Sequence, residues 1–171
     1  MLKLRNKNFF NNLEIKFKPI VRFLKKKNIK GNILGGYYPY NMEADITKLL
    51  EKFEKKKYTI SLPKIKKNSE MNFFQWSSKD PLLVNRYGIP EPISNKVKHP
   101  DILLIPLLAF DNDFNRIGYG GGFYDRYIHK IQKFKKITKI GIAYSFQKVK
   151  KIPIDNHDIK LDFIFTEKNK N

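Results

Sequence analysis

The run DILLIP, residues 101–106, constrains this chain more than any other stretch. A strand with one wet face alternates apolar and polar residues. One this uniformly apolar must be covered on both faces, which places it inside a parallel sheet. The rest of the sequence supplies neighbours for it. Residues 32–38, 58–62 (ended by Pro63), 71–76, 139–144 and 162–166 read as further strands. A first helix is expected through Phe10, Leu13, Phe17, Ile20, Val21 and Leu24, interrupted at Pro19 and stopped by Gly31. Residues 44–55, with Ile46, Leu49, Leu50 and Phe53 inward, and residues 124–134 are the other helices. Strands alternating with helices predict a three-layer α/β/α domain with a mostly parallel sheet, and 171 residues suit a single domain spanning the whole chain.

In open sheets of this kind ligands sit at the carboxyl ends of the strands. The segment after DILLIP is therefore the first place to look. It reads Leu107, Leu108, Ala109, Phe110, Asp111, then NDFN, then Arg116, Ile117, Gly118, Tyr119, Gly120, Gly121, Gly122, Phe123, Tyr124, Asp125. Four glycines in five positions free the backbone so that successive N–H groups can converge on an anion. A helix starting directly after the loop adds unpaired N–H donors and a partial positive charge. The same glycines would equally make a plain turn between strand and helix, and the loop lacks the GK[ST] of a P-loop. The buried strand before it, the helix after it, and Arg116 and Asp125 beside it favour phosphate.

Composition narrows the setting. There is no cysteine, so disulfides and thiolate metal sites are excluded. His99, His129 and His157 are scattered without ligand spacing, so no zinc site is expected. No apolar run approaches the roughly 18 residues of a membrane span, and the N-terminus carries no signal-peptide core. A cytoplasmic protein that does not enter the membrane is expected. The formal net charge is +19. That surplus invites an anionic partner, but the abundance of Lys, Asn and Ile reads as codon bias. Lys25–Lys27 and Lys55–Lys57 fall at expected helix ends, where they suit the helix dipole. No basic, aromatic-interleaved motif of the RNA-recognition type is present, so nucleic acid is not the expected partner.

The run LLIPLLAFDNDFNRIGYGGGFYDRY resembles the signature of the 5-formyltetrahydrofolate cyclo-ligase (methenyltetrahydrofolate synthetase) family. Its parts are an apolar strand, Pro, a Phe-Asp pair, Arg, a glycine-rich loop, two aromatics and Asp. Other elements follow in the family's order: Tyr37, Tyr38, Pro39 and Glu43; Tyr87-Gly88-Ile89-Pro90-Glu91-Pro92; Gly141-Ile142-Ala143 with Gln147; Ile152-Pro153 and Asp158. The resemblance covers residues 32–167.

What the resemblance implies is specific. The family closes 5-formyltetrahydrofolate to 5,10-methenyltetrahydrofolate with ATP, through an N5-iminium phosphate, releasing ADP and phosphate, and needs no protein nucleophile. Arg116, Ile117, Gly118, Tyr119, Gly120, Gly121, Gly122, Phe123 and Tyr124 would hold ATP, with Arg116 and Tyr124 acting at the transferring phosphoryl group. Tyr119 to Phe123, together with Tyr38, Glu43 and Tyr87, would contact the folate. Asp125 and Asp158 match the Mg²⁺ positions, a count that suits an ion completing its shell with phosphate and water. On residues alone, Asp125 would equally be a helix-dipole acid, Asp158 a turn residue, Glu43 a first-turn acid, and Tyr38 and Tyr87 packing aromatics. The family's longer basic N-terminal helix looks shortened here, with Arg5 matching a late basic position that reaches the nucleotide. A monomer acting on folates, polyglutamylated ones included, is expected. The rival is a polyanion- or RNA-binding module on the same fold, and the acids Glu43, Asp125 and Asp158 argue against it. A sugar-phosphate isomerase would need an acid–base pair that the sequence does not offer.

Overall fold

The structure is a computed structural model that describes residues 1–3, 5, 13–66 and 70–169. Its centre is a six-stranded sheet in the order β10–β9–β6–β1–β2–β3. The strands are β1 (Ile33–Gly35), β2 (Thr59–Ile65), β3 (Met71–Trp76), β6 (Ile102–Pro106), β9 (Thr138–Ile142) and β10 (Phe163–Phe165). All neighbours pair parallel except β3, which runs antiparallel to β2. Two small hairpins lie outside the sheet: β4 (Leu82–Val84) with β5 (Pro90–Pro92), and β7 (Ala109–Phe110) with β8 (Arg116–Ile117). The sequence pattern gave no sign of these four strands, because pieces of two or three residues are too short to show a period.

The DILLIP segment becomes β6, flanked by β1 and β9, with Ile102 to Ile105 fully buried. Its alternate residues divide the core in two. Ile102 and Leu104 face helix α1 (Phe17–Lys26) and helix α2 (Thr47–Lys55), joining Ile20, Leu24, Leu50 and Phe53. Leu103 and Ile105 face helix α3 (Phe123–Gln132), joining Tyr127, Ile128 and Ile131. Two clusters on opposite faces of one sheet are the expected three-layer arrangement.

Three boundaries differ from the sequence expectation. Helix α1 begins at Phe17, so Pro19 falls in its first turn, where a missing N–H costs nothing; Phe10 lies outside the described residues. It ends at Lys26 rather than running to Gly31. Asn28 takes a left-handed conformation (φ 47°), and the N–H groups of Asn28 and Ile29 donate to the carbonyls of Lys25 and Leu24. Helix α2 closes the same way, with Lys57 left-handed (φ 67°) and Tyr58 N–H donating to Phe53. Each helix thus turns straight into the next strand. Strand β2 also continues through Pro63 to Ile65. Its partner β1 stops opposite Ser61, so past that point β2 is paired only with β3 and tolerates a residue without an N–H on its open side.

Strand order reverses at β1 and β6. From β1 the chain moves to β2 on one side; from β6 it moves to β9 and β10 on the other. The loops leaving the carboxyl ends of β1 and β6 therefore diverge, and a crevice opens between them.

Candidate functional site

A pocket of about 700 Å³ fills that crevice. One wall is the loop after β1, with Tyr37, Tyr38, Tyr40 and Glu43. The opposite wall is the glycine loop, Arg116 to Tyr124, with Asp125. Tyr87 and Ile89 of the β4–β5 hairpin, with Pro153 and Asp158, complete the lining. Side chains separated by more than a hundred positions in sequence meet here because their loops leave the sheet on the same edge.

The glycine loop is shaped by backbone that only glycine adopts without strain. Gly120 has φ +85° and Gly122 φ +59°. A Cβ on Gly120 would meet nothing within 4 Å, so this peptide borders open pocket. Gly122 is the N-cap of α3 and offers no side-chain acceptor. Among the described residues no N-cap side chain covers the start of this ten-residue helix, which is the positive end of its dipole. Asp125 lies in that first turn, and its Oδ1 accepts from Arg116 Nη2 at 2.7 Å and from the Ile159 N–H at 3.2 Å. Arg116 is nearly buried, its guanidinium carbon lies 6.0 Å from the Tyr124 ring centroid, and its Nε has no partner among the described residues. Burial raises the Tyr124 hydroxyl well above the ordinary range, with the Glu43 charge adding to the effect, so the phenol stays protonated.

The β1 wall works differently. Glu43 is buried, and its Oε2 accepts the Tyr40 N–H at 3.1 Å. Burial pushes its carboxyl up to about 7, although the Tyr40 hydrogen bond and the Arg5 charge pull the other way. The turn that presents it passes through Asn41 (φ 47°) and Met42 (φ 57°), two consecutive left-handed residues that are not glycine. Tyr37 beside it donates to the Ala44 carbonyl at 2.8 Å and is itself raised by burial and by Glu43.

These walls carry the expected glycine loop and the acids in one pocket, and the sequence model of the 5-formyltetrahydrofolate cyclo-ligase family matches residues 24–167. The chain belongs to that family. A 5-formyltetrahydrofolate cyclo-ligase of Haemophilus influenzae is 31% identical over 132 residues, covering 73% of this chain and 70% of its own. One of Escherichia coli strain K12 is 31% identical over 137 residues, 76% of this chain and 75% of its own. Among solved structures, a 5,10-methenyltetrahydrofolate synthetase from Mycoplasma pneumoniae superposes with a TM-score of 0.69 at 25% identity, covering 97% of this chain and 98% of that one. The synthetase of Aquifex aeolicus gives 0.67 at 31% identity, covering 99% and 91%.

Within this cyclo-ligase fold, Tyr38, Glu43, Tyr87, Arg116 to Tyr124, Asp125 and Asp158 all line the pocket. Arg5 does not. It is buried behind the loops, donating to Leu107 O, to Tyr119 Oη at 2.7 Å and to Asn41 O at 3.3 Å. Its guanidinium ties the two walls together. One nitrogen of Arg116 is already engaged by Asp125.

The two carboxylates expected at Mg²⁺ fit it in one respect. Among the described residues, the contacts seen at Asp125 fall on Oδ1, and that at Asp158, from the Asp155 N–H at 2.8 Å, falls on Oδ2. Each keeps an oxygen for a cation that takes its other ligands from phosphate and water. Among the described residues no group of three or more acids or histidines gathers, as a protein-only cage would need.

Three residues were quoted in the motifs without a role, and the structure supplies one for each. Gln147 is buried, donates to the carbonyls of Leu107 and Leu108 at 2.6 and 3.0 Å, and accepts the Tyr144 N–H, holding the exit of β6. Glu91 accepts from the Ile65 N–H and Asn85 Nδ2, both at 2.7 Å, pinning the Tyr87 hairpin to β2. Asp111 anchors the turn between β7 and β8. The available signal was a polar residue inside an apolar motif; its partners are too distant in sequence to be read from it.

Proposed function

We propose that this chain carries out the ATP-dependent closure of 5-formyltetrahydrofolate to 5,10-methenyltetrahydrofolate. The observation that carries this is an acceptor and a donor wall lining one pocket: buried Glu43 on one, the glycine loop and the N-terminus of α3, uncapped among the described residues, on the other. The first suits a pterin, whose ring N–H groups donate; the second suits phosphates, whose oxygens accept.

In this reading the formyl oxygen attacks the γ-phosphorus, ADP leaves, and an N5-iminium phosphate forms. N10 then attacks the activated carbon and loses its proton, and phosphate departs. No covalent bond to the protein is made, so catalysis rests on positioning and charge. The loop from Arg116 to Tyr124 holds the phosphates. Tyr124, kept neutral, donates a hydrogen bond there without adding negative charge. Arg116 supplies positive charge, oriented by Asp125. Tyr38 and Tyr87, exposed at the rim, flank the flat ring of the folate, and Tyr119 closes over it. Asp125 and Asp158 would hold Mg²⁺, which when bound neutralises phosphate charge. A monomer, a cytoplasmic setting and acceptance of a polyglutamyl tail by the basic surface belong to the same proposal.

The test is direct. Protein mixed with 5-formyltetrahydrofolate and Mg-ATP should generate the near-ultraviolet band of methenyltetrahydrofolate, with none in the absence of ATP. A folded protein that gives no band, and binds neither substrate, would overturn the reading.

A further inference from the structure

Asp158 stands in residues 149–162, a segment without helix or strand, and is itself exposed. Its position has to come from anchors elsewhere. The Ile152 N–H donates to Asp111 Oδ2 at 3.1 Å, the Ile159 N–H to Asp125 Oδ1 at 3.2 Å, and the Leu161 N–H to the Phe114 carbonyl at 3.1 Å. His129 Nε2 lies 3.2 Å from the His157 carbonyl, and the N–H groups of Val149 and Asp162 donate to Phe110 O and Lys139 O, both at 2.8 Å; the anchors at Asp111 and Phe114 belong to the turn of the β7–β8 hairpin, which leads into Arg116.

Asp111 is the centre of that turn. The residue is 2% exposed. Oδ1 accepts the N–H groups of Asp113 at 2.9 Å and Asn115 at 3.0 Å, and Oδ2 accepts Asn115 Nδ2 at 3.0 Å besides Ile152. The turn needs this support, because Phe114 is held left-handed (φ 65°). Burial alone would raise the carboxyl, but the bonds from Asn115, Ile152 and Asp113 hold it below its ordinary value. One buried anion thus joins the turn that leads into Arg116 to the segment that carries Asp158.

We propose that Asp111 is a positioning residue of the nucleotide half of the site: its carboxylate fixes the separation of Asp158 from the Arg116–Asp125 pair, and so governs how tightly Mg-nucleotide is held, without touching it. This rests on the assignment of that half of the pocket to Mg-ATP. Groups behind metal ligands act in this way in general, and losing one typically costs about 10- to 100-fold in affinity.

Asp111→Asn tests it. The amide keeps the shape but turns one acceptor into a donor, which must then face either the Ile152 N–H or the turn. Calorimetry with Mg·ADP should show the dissociation constant rising about tenfold, while KM for 5-formyltetrahydrofolate stays within about twofold of the parent, the scatter of a non-contacting site. In the ligand-free protein, amide exchange at Ile152 and Ile159 should quicken while Leu104 is unchanged. Unchanged Mg·ADP affinity, or an equal weakening of both ligands, would overturn the inference. Should Asp111→Asn fail to fold, Asn115→Ala removes a single bond to the same carboxylate and should shift Mg·ADP alone, in the same direction and by less; no shift there is equally fatal. Parent protein that binds no Mg·ADP would instead remove the nucleotide assignment itself.

Discussion

The two walls of the pocket reach left-handed backbone by opposite means. On the glycine loop, Gly120 and Gly122 adopt it without steric cost. On the β1 loop, Asn41 and Met42 adopt it despite their side chains, and Glu43 behind them is held to Tyr40 through its carboxylate and its backbone N–H. The first wall presents backbone donors that do not titrate. The second presents one buried carboxyl that titrates at about 7. The difference suits the two ligands: phosphates need several fixed donors, whereas a heterocycle needs one acceptor placed deep and dry. Arg5 joins the walls through Tyr119 and Asn41.

The largest way to break this comparison is Gly120→Val. A β-branched residue at φ +85° is strained and its methyl groups enter the phosphate space. We expect kcat/KM for ATP to fall at least about 100-fold, or roughly 3 kcal/mol, with 5-formyltetrahydrofolate binding less affected. Equal losses for both substrates would mean that the walls are not separate.

Glu43→Gln should act on the other side, lowering kcat/KM for the folate by about tenfold or more and sparing ATP affinity. The pH dependence sharpens it. If the ionised carboxylate accepts the pterin N–H groups, folate affinity should rise with pH up to about 7 and level off above, and the glutamine variant should lose that profile. Stability follows the sign of the shift. The folded-state value lies above the ordinary one, so protonated Glu43 contributes stability that is complete below about 4.5 and lost as pH rises through about 7. In thermal melts, Glu43→Gln should therefore gain on the parent as pH increases. A pH-independent difference would place Glu43 in a more polar site than the structure does.

Arg5→Ala should weaken both substrates, each by about three- to tenfold, because it loosens both walls. An effect on ATP alone would return Arg5 to the role of a nucleotide ligand. The smallest change expected is Met42→Gly. It relieves a left-handed side chain worth about 1 kcal/mol, against a comparable entropic cost of glycine. Stability should change by less than about 1 kcal/mol, while folate KM rises as the turn loosens.

How legible was all this? β6 and the layers about it were visible because a uniformly apolar strand has one physical explanation. The glycine loop was visible because its residues are contiguous and followed by a helix. Pro63 misled, because a proline ends a strand only where a neighbour needs its N–H, and β1 stops short of it. The end of α1 was misplaced because Asn28 does the work expected of Gly31.

Arg5 and Asp111 show the limit. Each is a charged residue whose sequence neighbourhood says little, and each is buried among partners as far away as Tyr119 and Ile152. The sequence by itself determined the α/β layering, the glycine-rich loop and the family pattern, since periodicity, glycine freedom and contiguous motifs are local properties. Only the tertiary structure decided which acids share a pocket, which arginine faces it and which stands behind, and how Asp158 is held. Those depend on the reversal of strand order at β1 and β6, which brings distant loops together and sets how much water each charge keeps.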